Sequence, residues 1–272
     1  MSFIIDAHIH IFPDRFCPQT VQFMAAENPD VGLVPLTDGS ALQAAESLKA
    51  NNIDYGVMMP IVTNPKSQHN VNDYAAEVQN QYPSIFAFGS VHPLAPDWES
   101  ELNRIVELGL HGIKIHPDYQ GIFLDDTCMF PVFESISSIG LPVMVHTGFD
   151  PHSPNVVHAS PAMVKKIATA FPKMTLVAAH MGAFAYDENM PIDYYDDCKN
   201  LWFDNAIAPR TMTPEKLKIL VDHYGAERIM FGTDSPWSEG KIDLAFLNQT
   251  GLSFNDREQI LWKTASKVYG LL

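Results

Sequence analysis

The sequence predicts an α/β chain folded as one (β/α)8 (TIM) barrel, on three observations. Short apolar, β-branched runs alternate with amphipathic stretches along the whole chain. After a longer first gap, the runs recur at roughly 30-residue spacing, the period of a strand–helix unit. Eight such units fit a chain of 272 residues. Alternation at this period forces parallel strands and right-handed crossovers. A doubly wound open sheet is the competing arrangement, and it seldom needs eight strands in one register. No linker or low-complexity tract divides residues 1–272, so a single domain is expected.

The elements follow in order. Phe3–His10 reads as the first strand. A long insertion, Phe12–Leu36, comes after it and carries Phe16, Val21, Phe23 and Met24. A lid with ligand contacts and a plug over the barrel face are both open readings. Ser40–Asn51 reads as a helix capped by Thr37 or Asp38, and Ile53–Pro60 as the second strand. Val71–Gln81 is a helix after Asn70, then Ile85–Val91 a strand. The helix Asp97–Leu108 stops at Gly109, before the strand His111–His116. The helix Phe130–Ile139 stops at Gly140, before the strand Pro142–His146. Ser160 and Pro161 open the helix Pro161–Phe171 as cap and first-turn proline, and Thr175–His180 is the sixth strand.

A second insertion, Ala183–Asn200, is acidic and tyrosine-rich. It lacks the ligand spacing of a calcium loop, so a solvated or subunit-contact loop is expected. Leu201–Asn205 is the seventh strand, and Pro214–His223 a helix capped by Thr213. Arg228–Asp234 is the eighth strand. Asp243–Gln249 and Asn255–Tyr269 close the chain as helices.

Composition narrows the function. Apolar residues make up 46% and the formal net charge is −15. Such a chain lacks the basic face that nucleic acid or anionic lipid would demand. No apolar run approaches the ~18 residues of a membrane span. The first residues carry no basic n-region and place Asp6, His8 and His10 in their apolar stretch, unlike a signal peptide. Cys17, Cys128 and Cys198 are odd in number and widely spaced, which points to a reducing cytoplasmic compartment. No G-x-S-x-G elbow, G-x-G-x-x-G or Walker A run is present.

The chemistry lies at the strand ends. His8 and His10 alternate on one strand, so both imidazoles face one side about 7 Å apart, and Asp6 is expected on the same side. His146, His180 and Asp234 end the fifth, sixth and eighth strands. In a closed barrel these ends meet on one rim, where imidazoles and a carboxylate suit Zn²⁺, with Fe²⁺ or Mn²⁺ as other occupants. For any one of these histidines, a hydrogen bond to a backbone carbonyl is the plain alternative, and for Asp234 a helix cap.

Lys114 and His116 share a face of the fourth strand. Lys114 reads as a cation pairing Asp6 or a substrate carboxylate, and His116 as a substrate contact or rim residue. His92 reads as a turn histidine; His69, His111, His152, His158 and His223 read as surface residues. Arg210 and Trp237 follow the seventh and eighth strands, where they can grip or wall a small substrate; solvated charge and core packing compete. Asn205 is placed to support Asp234.

The residues Asp6-Ala7-His8-Ile9-His10, Gly112 to Pro117, Leu141 to Gly148, His180-Met181-Gly182 and Phe231 to Asp234 together resemble the amidohydrolase superfamily. The resemblance is strongest to its amidohydrolase-related branch, which includes aminocarboxymuconate-semialdehyde decarboxylase. It implies one divalent metal, held by His8, His10, His146 and Asp234, for which Zn²⁺ is the expected ion. It implies His180 as acid/base, with Asp234 also accepting a proton. In binuclear relatives a carboxylated lysine bridges two metals; Lys114 is the residue that would do so, and a single metal is the expectation here. A bound metal lowers the pKa of water from ~15.7 toward ~7, which gives hydroxide near neutrality. A histidine of unperturbed pKa ~6.5 can shuttle protons there.

The first functional reading is therefore a metal-dependent hydrolase whose activated water attacks an amide, lactone or ester of a small polar molecule. The second is a metal-dependent non-oxidative decarboxylase of a small unsaturated or aromatic carboxylic acid. The third is a non-catalytic ligand-binding barrel. The superfamily also suggests a homodimer.

Overall fold

A computed structural model describes residues 3–27, 31–187 and 189–272. Eight parallel strands run in sequence order: β1 (Ile5–Ile9), β2 (Tyr55–Met58), β3 (Ile85–Ala87, continued by Gly89–Ser90 past Phe88), β4 (Ile113–Ile115), β5 (Val143–Val145), β6 (Leu176–Ala178), β7 (Leu201–Asp204) and β8 (Ile229–Met230). The ring closes between β8 and β1. Ala7 N donates to Phe231 O at 2.8 Å, Asp234 N to His8 O at 2.9 Å and His10 N to Ser235 O at 2.6 Å. The predicted barrel is the observed one, not the open sheet.

Among the described residues, helices of ten residues or more follow every strand but β6: Ala41–Ala50, Gln68–Gln81, Trp98–Glu107, Met129–Ile139, Pro161–Ala170, Pro214–Tyr224 and, after β8, Gly240–Gln249. Ser160 and Thr213 cap as expected, accepting from Met163 N and Lys216 N. The helix after β1 is capped by Ser40, not Thr37 or Asp38; the Asp38 carboxylate instead accepts from Ser40 N. The helix after β2 begins at Gln68, three residues before the expected start at Val71, because Asn64 starts a 3-10 turn that feeds into it. Among the described residues no helix is long and apolar enough to cross a membrane.

Two apolar layers make the core. Ile5, Ala7, Val57, Phe88, Met144, Val177 and Met230 pack together inside the barrel, with the C-terminal Tyr269 closing its floor against Phe88. A larger layer, with Ile9, Ile113, Val145 and Phe203, lies between strands and helices.

The inward set on β1 departs from simple alternation. The β1–β2 register shifts between Asp6 and Ile9, so Ile5 and Ala7 point inward and yet His8 does too. Asp6 faces the helices, beside Ile9, Ala44 and Leu48, and accepts from Thr233 Oγ1 at 2.7 Å and Thr233 N at 3.0 Å. It therefore does not pair with Lys114. Burial raises its carboxyl to about 7, against the opposing hydrogen bonds.

The insertions also differ from expectation. The first forms a helix, Gln19–Glu27, that buries only Val21. The second is solvated in its described acids, with Asp187, Asp193, Asp196 and Asp197 exposed, but is anchored from within: Tyr195 is fully buried and donates to Gly182 O at 2.8 Å. Glu188, one of its acids, lies outside the described residues.

Behind the β8 loop, Asp243 is buried with one carboxylate oxygen unpartnered. Burial raises it to about 8, although Ser238 Oγ donates to it at 2.5 Å. The folded chain thus keeps a proton that the unfolded chain releases above pH ~4. The Asp243 contribution to stability is therefore expected to fall as pH rises from about 4 to about 8 and then to level off. Asp243→Asn is expected to flatten that slope and to stabilise the protein at pH 8 by about 1–3 kcal/mol. Urea unfolding of both proteins at pH 5 and pH 8 checks it; equal slopes would show that Asp243 does not carry the proton.

Candidate active site

The strand ends build the site because the ladder stops short of them. His146, His180 and Asp234 lie just past the last residues of β5, β6 and β8, whereas His8 lies within β1. His180 (φ 56°) and Asp234 (φ 64°) adopt left-handed backbone, rare for side chains other than asparagine and aspartate. Backbone bonds hold them there: His180 N donates to Asp204 Oδ1 at 2.8 Å, and Asp234 N to His8 O. Such strain gathers at functional sites.

Three donors converge. His8 Nε2 and His10 Nε2 are 3.2 Å apart. Asp234 Oδ1 lies 3.2 Å from the first and 3.1 Å from the second. The far side of each ring is tied down: His8 Nδ1 donates to Asp204 Oδ2 at 2.8 Å, and His10 Nδ1 to Met59 O at 2.9 Å. With the protons assigned by these partners, both Nε2 lone pairs face the same carboxylate oxygen. Burial, and then Lys114, push the His8 pKa well down. Burial raises the Asp234 carboxyl, but His8, His10 and His180 outweigh it and hold it below the ordinary carboxylate range. Electron-rich atoms this close repel unless a cation sits among them, and the Lys114 Nζ, 3.1 Å from His8 Nε2, pairs with neither His10 nor Asp234. The donor set thus fits a divalent metal.

His146 stands apart from this trio. Its Nδ1 lies 3.2 Å from His180 Nε2, and His180 Nδ1 lies 3.3 Å from Ala206 O, as donor. His146 Nε2 is buried without a partner, 3.6 Å from Asp150 Oδ2. His116 Nε2 is also 3.6 Å from that oxygen, and its ring stacks on His146 at 4.2 Å. His116, His146 and Asp150 form a second group of converging donors. Burial drives His116 and His146 well below the ordinary imidazole pKa and raises Asp150 to about 7.

Lys114 links the groups. It is fully buried, its Nζ lies 3.1 Å from His8 Nε2, and burial lowers it to about 8. His10, Asp234, His116, His146 and His180 line one cavity of about 230 Å³, below the usual range for drug-sized ligands. Trp237, Tyr186 and Met24 wall it, and Arg210 sits at its mouth, where its Nη2 donates to Gly32 O at 2.8 Å. The first insertion thus contributes wall to the site.

Other residues fall elsewhere. His92 is a buried turn histidine whose Nδ1 accepts from Leu94 N. His158 is no surface residue: its Nδ1 lies 2.9 Å from the buried carboxylate of Asp118. Asn205 does not touch Asp234; its Oδ1 accepts from Gly232 N at 3.0 Å and so shapes the turn that carries it.

Asp204 was missed by sequence reasoning, although a carboxylate at the end of β7 obeys the strand-end rule that found the others. It accepts from His8 Nδ1, His180 N and Ala206 N, and so positions two of the site's histidines. Asp204→Asn is expected to weaken metal affinity about 10- to 100-fold. Chelator competition measures this; unchanged affinity would mean that Asp204 does not orient His8.

Comparison with known proteins points the same way. The family described as Amidohydrolase matches residues 5–271. A curated relative, 2-amino-3-carboxymuconate-6-semialdehyde decarboxylase of Dictyostelium discoideum, is 26% identical over 74% of this chain. The match spans 66% of that relative's own length, just under two thirds. Gamma-resorcylate decarboxylase of Polaromonas sp. is 23% identical over 74% of this chain and 75% of its own. Among solved structures, a dihydroxybenzoic acid decarboxylase of Polaromonas sp., with bound manganese and the inhibitor 2-nitroresorcinol, shares the fold at TM-score 0.74 and 16% identity, over 100% of this chain and 98% of that one.

Proposed function

Because the chain belongs to the amidohydrolase family, we propose that it is a metal-dependent, non-oxidative decarboxylase of a small unsaturated or aromatic carboxylic acid. The observation that carries this reading is the convergence of His8 Nε2, His10 Nε2 and Asp234 Oδ1 at the wall of a small buried cavity. Hydrolysis, the first expectation from sequence, fits the same donors. The curated relatives favour the second expectation, since both are decarboxylases by name. Zn²⁺ and Mn²⁺ both suit two imidazoles and a carboxylate.

His8, His10 and Asp234 would hold the metal, with His146 as the fourth ligand the resemblance implies. Bound there, it supplies Lewis-acid polarisation of a substrate oxygen. Asp204 and the Met59 carbonyl keep both histidine lone pairs turned to it. Arg210 is placed to meet an anionic group of the substrate at the cavity mouth. Trp237 and Tyr186 exclude water. In the reaction the C–CO₂ bond breaks, its electron pair stays on carbon, and a proton must reach that carbon. His180 in its imidazolium form donates from Nε2, while Nδ1–H stays on Ala206 O in both protonation states.

A panel of ¹³C-carboxyl-labelled aromatic and unsaturated acids, beside lactones and amides, tests the proposal. Release of labelled CO₂ from an acid is the expected result. Turnover of a lactone or amide, with no CO₂ from any acid, would restore hydrolysis.

A further inference from the structure

A second cavity, of about 540 Å³, abuts the first. The two share His10, Met24, Ile61 and Tyr119 as lining, so the second reaches the donor cluster itself. It lies between the barrel rim and the helix Gln19–Glu27 of the first insertion. Phe12, Phe16, Phe23, Met58, Met59 and Val71 supply most of its apolar wall. That helix buries only Val21 against the barrel, which leaves Phe16 and Phe23 49% and 66% exposed along the groove. Among the described residues no lysine or arginine lines it, and Glu27 at its edge is engaged by His152, with Oε1 2.9 Å from Nδ1.

We propose that this groove receives an apolar substituent of the substrate, so that the substrate class is an acid carrying an alkyl or aryl tail. The inference rests on the proposed decarboxylase reading for its anchor alone, the carboxylate at the donor cluster. A carboxylate meets no lysine or arginine among the described residues of the groove, and the groove, at about 540 Å³, offers more than twice the space of the cavity of about 230 Å³. The shared lining lets one molecule occupy both. Burying the tail removes apolar surface of ligand and protein from water together, which is the driving force.

The test is calorimetry of the metal-loaded protein with 2-hydroxybenzoate and its 4- and 5-propyl and pentyl derivatives. CO₂ release is followed in parallel. Affinity is expected to rise roughly fourfold per added methylene for at least one series, the yield of burying a CH₂. Val71→Trp, at a residue that lines the groove and not the first cavity, should reduce that gain below about twofold and leave 2-hydroxybenzoate unaffected. Phe23→Ser should reduce the gain in part; its side chain is 66% exposed, so the fold does not depend on it. Equal affinity for compact and tailed acids, or a gain that survives both substitutions, overturns the proposal. A gain without CO₂ release keeps the groove and removes the decarboxylase reading. CO₂ release from 2-hydroxybenzoate without a gain does the reverse.

Discussion

Asp234→Ala is expected to abolish metal binding and turnover together, while His223→Ala leaves both at the wild-type level. Asp234 brings the one negative charge of the converging trio, with Oδ1 3.2 Å and 3.1 Å from the two imidazole nitrogens. Without it, two imidazoles remain. A lost Lewis acid forfeits several kcal/mol of transition-state stabilisation, about 10³-fold in rate. His223 is remote, on the helix Pro214–Tyr224, with Nε2 2.7 Å from Asp196. Alanine tolerates the left-handed backbone at 234 poorly (φ 64°), so Asp234→Asn is the companion variant. Asparagine keeps the backbone preference and removes the charge. Elemental analysis and steady-state rates check both. Full metal content in Asp234→Asn and Asp234→Ala would remove this residue from the ligand set.

His180→Gln separates chemistry from metal binding. Turnover is expected to fall about 10²- to 10⁴-fold, the usual share of a positioned acid/base group. Metal content should hold, because His180 Nε2 faces His146 rather than the His8–His10–Asp234 trio. The pH–rate profile should lose a limb, which a merely structural role would not cause. Metal lost in step with activity would make His180 a ligand instead.

Much of this was legible in the sequence, for a physical reason. The βα period and the Ser160 and Thr213 caps are local signals, and local signals survive into the barrel. His8, His10, His146, His180 and Asp234 stand out because chemistry-bearing side chains at strand ends share one rim. What could not be read was set by tertiary register. The irregularity in β1 turns Asp6 to the helices, although strict alternation put it beside the histidines. That leaves Lys114 against His8 rather than Asp6. The pairing of His146 with His116 and Asp150 depends on the loop after β5, whose path no periodicity encodes. Tyr195 looked like part of an acidic surface loop, and only packing against Phe184 and Phe203 shows it to be core.

Metal per chain, measured by elemental analysis on protein purified without chelator, tests the central claim most directly. The converging trio predicts about one divalent ion per chain, retained through gel filtration and removed by chelation together with activity. No specifically bound ion, even after incubation with Zn²⁺ or Mn²⁺, would contradict it and leave a barrel without the chemistry proposed here.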